Sequence, residues 1–530
     1  MPDITPCPAD IKQGFAQIVG NDNIRDDEAA LRLFSEDIWS ATDHVVMLIV
    51  APETTQQLAD VVALANAKGV AIAPRGAGMG YTSSYVPVTA NTISIDTTRM
   101  NKVLAISAED MTVTVQCGCS WLDLHEALKP LGLRTPFWGP MSGITSTIGA
   151  GLSQLNAMFG AGHYGTSSES LIALTMVLAD GRILRTGARG PDGDTPFYRH
   201  YGPDLAGLFC GDSGTLGIKA EITLRLMRTP QFEGCASFSF PTGESMLTAL
   251  GEIARAGLAC ESCGFDPGLT RVRMKRMSMV DDVKTLGKVI AKEKNIAKGL
   301  MAAAKVALGG RDFIPEDDYP LHVAAEGRSK EGVAADMAAI RAIVARFGGT
   351  EIENTIAKVI RANPFPPPNS ILGPEGEHWA PVHGHVSLSN APKMLTEIEA
   401  YLKEMEPRFE ALGIFTGFLF TSLSTNALTL EPVFFWPEGY RPVHASMVEP
   451  AHLARLKQLG EAPEATALVT EARNKIKAIA ASYGAAHFQI GRTYAYRDSR
   501  DEAFRDVLDA VKAVVDPKGL FNPGGLGFPQ

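Results

Sequence analysis

Apolar residues recur along the chain with two spacings. Between Thr54 and Lys68 they fall at Leu58, Val61, Val62 and Leu64 behind a threonine, the spacing of a capped helix, which delivers a short apolar strand at 70–73. Thr92-Ile93-Ser94-Ile95-Asp96 and Thr112-Val113-Thr114-Val115-Gln116 alternate as strands, and residues 121–131 read as a helix. Residues 171–178 form a strand that runs to Asp180-Gly181, a hairpin turn, before a second strand at 182–185. Beyond Pro230 the pattern changes: 236–240 is a strand, helices follow, and 502–515 is a last helix. Strands and helices without strict alternation predict an α+β fold, not a doubly wound parallel sheet. A chain of 530 residues exceeds what one core supports, so more than one domain is expected, with a boundary near 230.

Glycines interrupt this pattern in three places. Pro74-Arg75-Gly76-Ala77-Gly78-Met79-Gly80-Tyr81 follows the strand at 70–73, and its alternate glycines let backbone N–H groups converge on one centre, as a phosphate or pyrophosphate cradle does. No 3.6-period helix starts from it, so it is not the dinucleotide fingerprint. The second piece runs from Gly139 to Gly151 and resumes as Gly160-Ala161-Gly162-His163-Tyr164-Gly165, where small residues let backbone lie flat against a planar ligand. The third, Gly211-Asp212-Ser213-Gly214-Thr215-Leu216-Gly217-Ile218, precedes a strand.

Charge and cysteine content narrow the function. A net charge of −10 argues against a nucleic-acid partner, which would require a basic face. The first residues have neither a basic nor an apolar leader region, and no apolar run is long enough for a bilayer, so a cytoplasmic protein is expected. Seven thinly spread cysteines do not form a disulfide framework, and Cys260-Glu261-Ser262-Cys263 reads as reduced structural thiols. Residues 271–305 are rich in Lys, Arg and then Ala, a solvated helical surface or a docking face for a membrane or redox partner. Asn363-Pro364-Phe365-Pro366-Pro367-Pro368 reads as a polyproline linker or lid edge.

In order and spacing the three glycine-rich pieces resemble the FAD-binding domain of the vanillyl-alcohol oxidase and p-cresol methylhydroxylase superfamily, which also holds D-lactate and glycolate dehydrogenases. Asp516-Pro517-Lys518-Gly519-Leu520-Phe521-Asn522-Pro523-Gly524 is similar to its C-terminal signature. The resemblance implies a two-subdomain FAD-binding fold at 1–230, an α+β substrate domain at 231–485 and a segment at 486–530 returning to the FAD domain. It implies FAD against Pro74, Arg75, Gly76, Ala77, Gly78, Met79 and Gly80; against Pro140, Met141, Ser142, Thr145, Ile148, Gly149, Gly151, Tyr164 and Gly165; and against Gly214, Gly217, Ile218 and Asn522. Some relatives carry a flavin-bonded histidine where this chain has Gly78, and Ser424-Thr425-Asn426-Ala427 offers none, so dissociable FAD is expected.

Flavin chemistry needs a substrate C–H near N5, a route for its proton and a partner for developing charge. Tyr81 directly follows the cradle and matches a tyrosine that holds the phenolate in the phenol-oxidising relatives. Arg492 offers a fork for a phenolate or carboxylate, although Gly491 stands where the family's paired tyrosine would be. Met141 stands where phenol oxidases carry an aspartate. His383 and His385, two apart on a strand, share a face and could do proton work. The acid-dehydrogenase relatives carry a metal motif of the form H-x-G-D-G-N-x-x-H in a comparable place. Here the acidic residue and its flanking glycines are missing, and no metal is expected. The expected substrate is an aromatic, phenolic alcohol, with a D-2-hydroxy acid as the alternative. Oxygen, a quinone or a cytochrome each fit as electron acceptor. A homo-oligomer is expected. An intact C-terminal part with Arg492 and the histidine pair argues against a non-catalytic binding module.

Overall fold

The computed structural model describes residues 3–41, 43–279 and 315–530. The chain forms two compact units, one of residues 1–156, 166–228 and 488–530, the other of residues 157–165 and 229–487. Most of the basic stretch expected at 271–305 lies outside the described residues. Its beginning is the end of the helix Pro267–Met279.

Two sheets organise the first unit. In the four-stranded sheet, Leu48–Val50, Thr92–Asp96 and Ala71–Arg75 lie parallel in that order, with Ile24–Arg25 antiparallel at one edge. The helix Thr55–Lys68 feeds its third parallel strand. Thr54 caps it by accepting from the Gln57 N–H, Gly69 ends it in a left-handed turn, and Leu58, Val61, Val62 and Ala65 are its buried face. At the other edge the C-terminal chain joins in: the Ile72 N–H donates to Leu520 O at 2.8 Å and the Asn522 N–H to Ile72 O at 2.8 Å. The second sheet is antiparallel, in the order Val103–Ser107, Thr112–Gln116, Ile218–Arg225, Leu171–Val177, Ile183–Arg185. Parallel and antiparallel sheets within one unit confirm the mixed α+β class.

The second unit is built on one eight-stranded antiparallel sheet. Its order is Thr350–Ile352, Phe232–Phe240, Tyr319–Gly327, Glu261–Phe265, Phe415–Leu423, Ala427–Trp436, His378–Pro381, with Gly384–Ser387 also paired to Ala427–Trp436. One face carries Phe238, Phe240, Phe420 and Phe434 against long helices: Phe434 meets Phe409 of helix Ala391–Ala411 edge-on at 6.1 Å. Side chains alternate across a sheet, so the register puts Ser237, His322, Cys263, Phe265, Leu419, Glu431, Thr429 and His385 together on the other face.

Candidate functional site

In the first unit the glycine-rich pieces converge. Pro74 and Arg75 end the strand Ala71–Arg75, and residues 76–80 continue as a loop. Gly76 lies against the second piece: a Cβ there would come within 2.5 Å of Thr147 Oγ1 and 3.2 Å of Ala150 Cβ. Gly214 brings the third piece onto the first, since a Cβ there would meet Pro74 Cγ at 2.6 Å. Ile148, Gly149 and Gly151 belong to the helix Ile148–Gln154, Ile218 opens the strand Ile218–Arg225, and Pro140, Met141, Ser142, Thr145 and Gly217 lie on the adjoining loops. Tyr164 and Gly165 are part of the second unit, where Gly162 packs so closely on the carbonyls of Ala259 and Cys260 that no side chain fits.

Gly78 has a different reason from the one its spacing suggests. Its φ of +78° is left-handed, and a Cβ would run into the Arg75 guanidinium. Arg75 is buried and faces the protein: it donates to Leu33 O at 2.8 Å and Glu36 O at 3.3 Å, and its guanidinium lies over the rings of Phe34 and Tyr85 at 4.5 and 5.0 Å. The loop is therefore shaped from within by Arg75, whose own side chain is not turned to a ligand.

Asn522 knots the pieces together. Its Nδ2 donates to Ser84 O beside the first piece and, at 2.6 Å, to Ser213 O in the third, while its Oδ1 accepts from Arg492 at 2.7 Å. Asp516 shapes the approach by accepting from the N–H groups of Leu520 and Phe521 at 3.0 and 2.8 Å and from Lys512 Nζ at 2.6 Å.

Arg492 corrects the expectation of an anion clamp. Nη1 donates to the carbonyls of Ser83 and Val86, Nε to Pro523 O, and Nη2 to Pro523 O and Asn522 Oδ1. A guanidinium has five N–H bonds, and these five contacts take them all. Burial pulls its pKa down to about 10, leaving it charged at neutral pH. Arg492 fastens the C-terminal segment to the cradle. Tyr81 is buried beside it, and its hydroxyl accepts from Gln489 Nε2 at 2.7 Å.

The cradle wall contains a cluster of buried hydroxyls. Thr82 Oγ1, Ser84 Oγ and Thr147 Oγ1 have no hydrogen-bond partner among the described residues, nor has Asp212 Oδ2. Buried polar groups of native proteins are hydrogen-bonded, so such a cluster of hydroxyls fits a bound polar ligand, and hydroxyl donors suit a pyrophosphate. The residues present fit FAD. Thr147 and Ser213 lie inside the second and third glycine-rich pieces, whereas Thr82, Ser84, Gln489 and His487 stand outside them and carry no signal of their own in sequence. Only their place beside the glycine pieces and His383 marks them.

The second unit holds the histidines. The rings of His383 and His385 are 5.9 Å apart and that of His487 is 6.0 Å from His383. His487 Nδ1 bonds to His383 O at 2.7 Å, and His385 Nδ1 pairs with Thr429 Oγ1 at 2.8 Å. Burial first, and the His487 ring second, push His385 down to about 3, so it is neutral. Among the described residues no group of three His, Cys, Asp or Glu side chains is arranged to hold a metal. All seven cysteines are free thiols.

Residues 46–187 match the FAD binding domain, and residues 464–526 match the C-terminal domain of FAD linked oxidases. A glycolate oxidase subunit, GlcD of Bacillus subtilis, is 31% identical over 222 residues, covering 42% of this chain and 46% of the relative. The chain thus spans about half the length of the curated relatives it matches. Among solved structures, an alkyldihydroxyacetonephosphate synthase superposes with a TM-score of 0.71 at 19% identity, covering 99% of this chain and 87% of the other. A p-cresol methylhydroxylase superposes at 0.72 and 16% identity, covering 98% and 96%. In fold the chain is similar to p-cresol methylhydroxylase, and its two matched segments are similar to the FAD binding domain and the C-terminal domain of FAD linked oxidases.

Proposed function

We propose that this protein is an FAD-dependent oxidoreductase that takes a hydride from a CH–OH carbon. The observation that carries this reading is the cradle of the first unit, where three glycine-rich pieces are knotted by Asn522 and lined by the unpartnered hydroxyls of Thr82, Ser84 and Thr147. Bound FAD supplies the hydride acceptor. Thr82, Ser84 and Thr147 would donate to its phosphates, and Asn522 and Arg492 hold the loop that carries Thr82 and Ser84. The Tyr81 hydroxyl, fixed by Gln489, is a preset polar contact for a substrate oxygen.

Within this reading a small 2-hydroxy acid is the favoured substrate class. Similarity to a glycolate oxidase subunit supports it. A phenolic alcohol is the second reading, and Tyr81 is the residue that favours it. Its phenolate clamp, however, would need an arginine beside the tyrosine, and Arg492 has no N–H left to give. Anaerobic mixing with D-2-hydroxy acids and with phenolic alcohols tests both. Bleaching of the flavin by the acids alone is expected, bleaching by the alcohols alone favours the second reading, and no bleaching by either class contradicts both.

A further inference from the structure

The second face of the large sheet carries a cation with no role so far. Arg273, from the helix Pro267–Met279, is half-buried, with its guanidinium carbon 4.0 Å from the centre of the Phe265 ring. Among the described residues it donates no hydrogen bond and makes no ion pair; its interactions are with that ring and, electrostatically, with Cys263 and His322. The carboxylates of Glu261 and Glu326, on the same sheet face, are taken by Arg361, and Glu375 binds Lys275 and Lys457.

None of its neighbours neutralises it. Cys263 is fully buried, and burial pushes its thiol up to about 11, so it is uncharged. Glu431 also acts on Cys263, but burial alone sets its own pKa, with no contribution from Arg273. His322 sits directly across from Cys263 in the sheet register, its ring 5.6 Å from Phe265. Burial and the Arg273 charge hold it neutral, at about 3. Its Nδ1 is 2.8 Å from Ser237 Oγ, while its Nε2 is buried and has no hydrogen-bond partner among the described residues. When Ser237 donates to Nδ1, Nε2 carries the hydrogen and is a second free donor.

A half-buried guanidinium that donates to no described residue is free to take an acceptor, and a buried imidazole N–H without one is costly. Both donors are satisfied together if one anion accepts from both. Phe265 and the neutral Cys263 lie beside the pair, and Glu431, whose carboxyl burial raises to about 7, is on the same sheet face. We infer that Arg273 and His322 form an anion subsite that takes the carboxylate of a small organic acid, the guanidinium fork on its two oxygens and His322 Nε2 as a further donor. This rests on the reading of the protein as an FAD-dependent oxidoreductase of 2-hydroxy acids, and adds which residues recognise the acid.

The test uses the holoenzyme and oxalate, an acid without a CH–OH carbon. Oxalate binding, followed by calorimetry, should weaken roughly 30-fold or more in Arg273→Met, as expected when a bonded charge loses its partner. Arg273→Lys, which keeps the charge and loses the fork, should fall in between. FAD content should stay unchanged in both. With D-lactate the loss should appear chiefly in KM, whereas 1,2-propanediol, which has no carboxylate, should react alike with parent and variants. Parent protein that does not bind oxalate, or variants that bind it as tightly as the parent, overturn the inference. Failure of the oxidoreductase reading looks different: the flavin is missing or nothing bleaches it, while oxalate binding still reports on Arg273 alone.

Discussion

Arg492 illustrates how a residue can be picked out by its chemistry and still have another task. Its acceptors are the backbone carbonyls of Ser83, Val86 and Pro523 and the side chain of Asn522, and backbone groups leave no mark in sequence. Replacing it with Met should therefore lower the unfolding free energy by about 3 kcal/mol or more, because several buried acceptors lose a charged donor at once. Urea unfolding and flavin content should fall together; a variant of parental stability and flavin content with only substrate binding lost would restore the anion clamp. Glu431 gives a second prediction at this scale. Burial raises its carboxyl from 4.5 to about 7, so between those values the folded protein keeps a proton that the unfolded chain releases. Stability contributed by the neutral carboxyl is thus complete below pH 4.5 and is lost as pH rises through 7. Glu431→Gln should gain on the parent across that window in urea unfolding, and parallel pH profiles would contradict this.

Elements were easier to read than residues where a local signal exists. Thr54 and Gly69 bracket a helix because one accepts an N–H and the other tolerates a left-handed turn, both properties of single residues. The strand at 92–96 and the helix at 502–515 have the bounds that their apolar spacing predicts. The polar row Ser237, His322, Cys263 was not legible, because it arises from pairing of strands some 60 to 85 positions apart and no single segment contains it. Nor does the cradle sequence reveal that Arg75 fills the space over Gly78. Gly78→Ala should cost about 1–2 kcal/mol from its backbone conformation alone. The guanidinium must also move, so the cradle should lose FAD affinity, measured by titrating apoprotein with FAD. Unchanged affinity would mean that the loop does not contact the cofactor.

At the scale of the whole molecule, the return of the C-terminus is written in the chain through its resemblance to a known signature, and the structure gives its physical basis. Residues 488–530 belong to the same unit as the cradle, held by Asn522, Arg492, Asp516 and the pairing at Ile72. The excursion of residues 157–165 into the other unit could not be read, since Gly160-Ala161-Gly162 has the composition of a flavin loop while Gly162 serves close packing on Cys260. The central claim is that the knotted glycine pieces of the first unit make an FAD cradle without a covalent link. The most direct measurement is the identity and amount of chromophore released by acid from the purified protein. One FAD per chain, fully released, is the result expected. FMN, a nicotinamide nucleotide or no chromophore in the supernatant, or flavin that stays with the denatured chain, would contradict it.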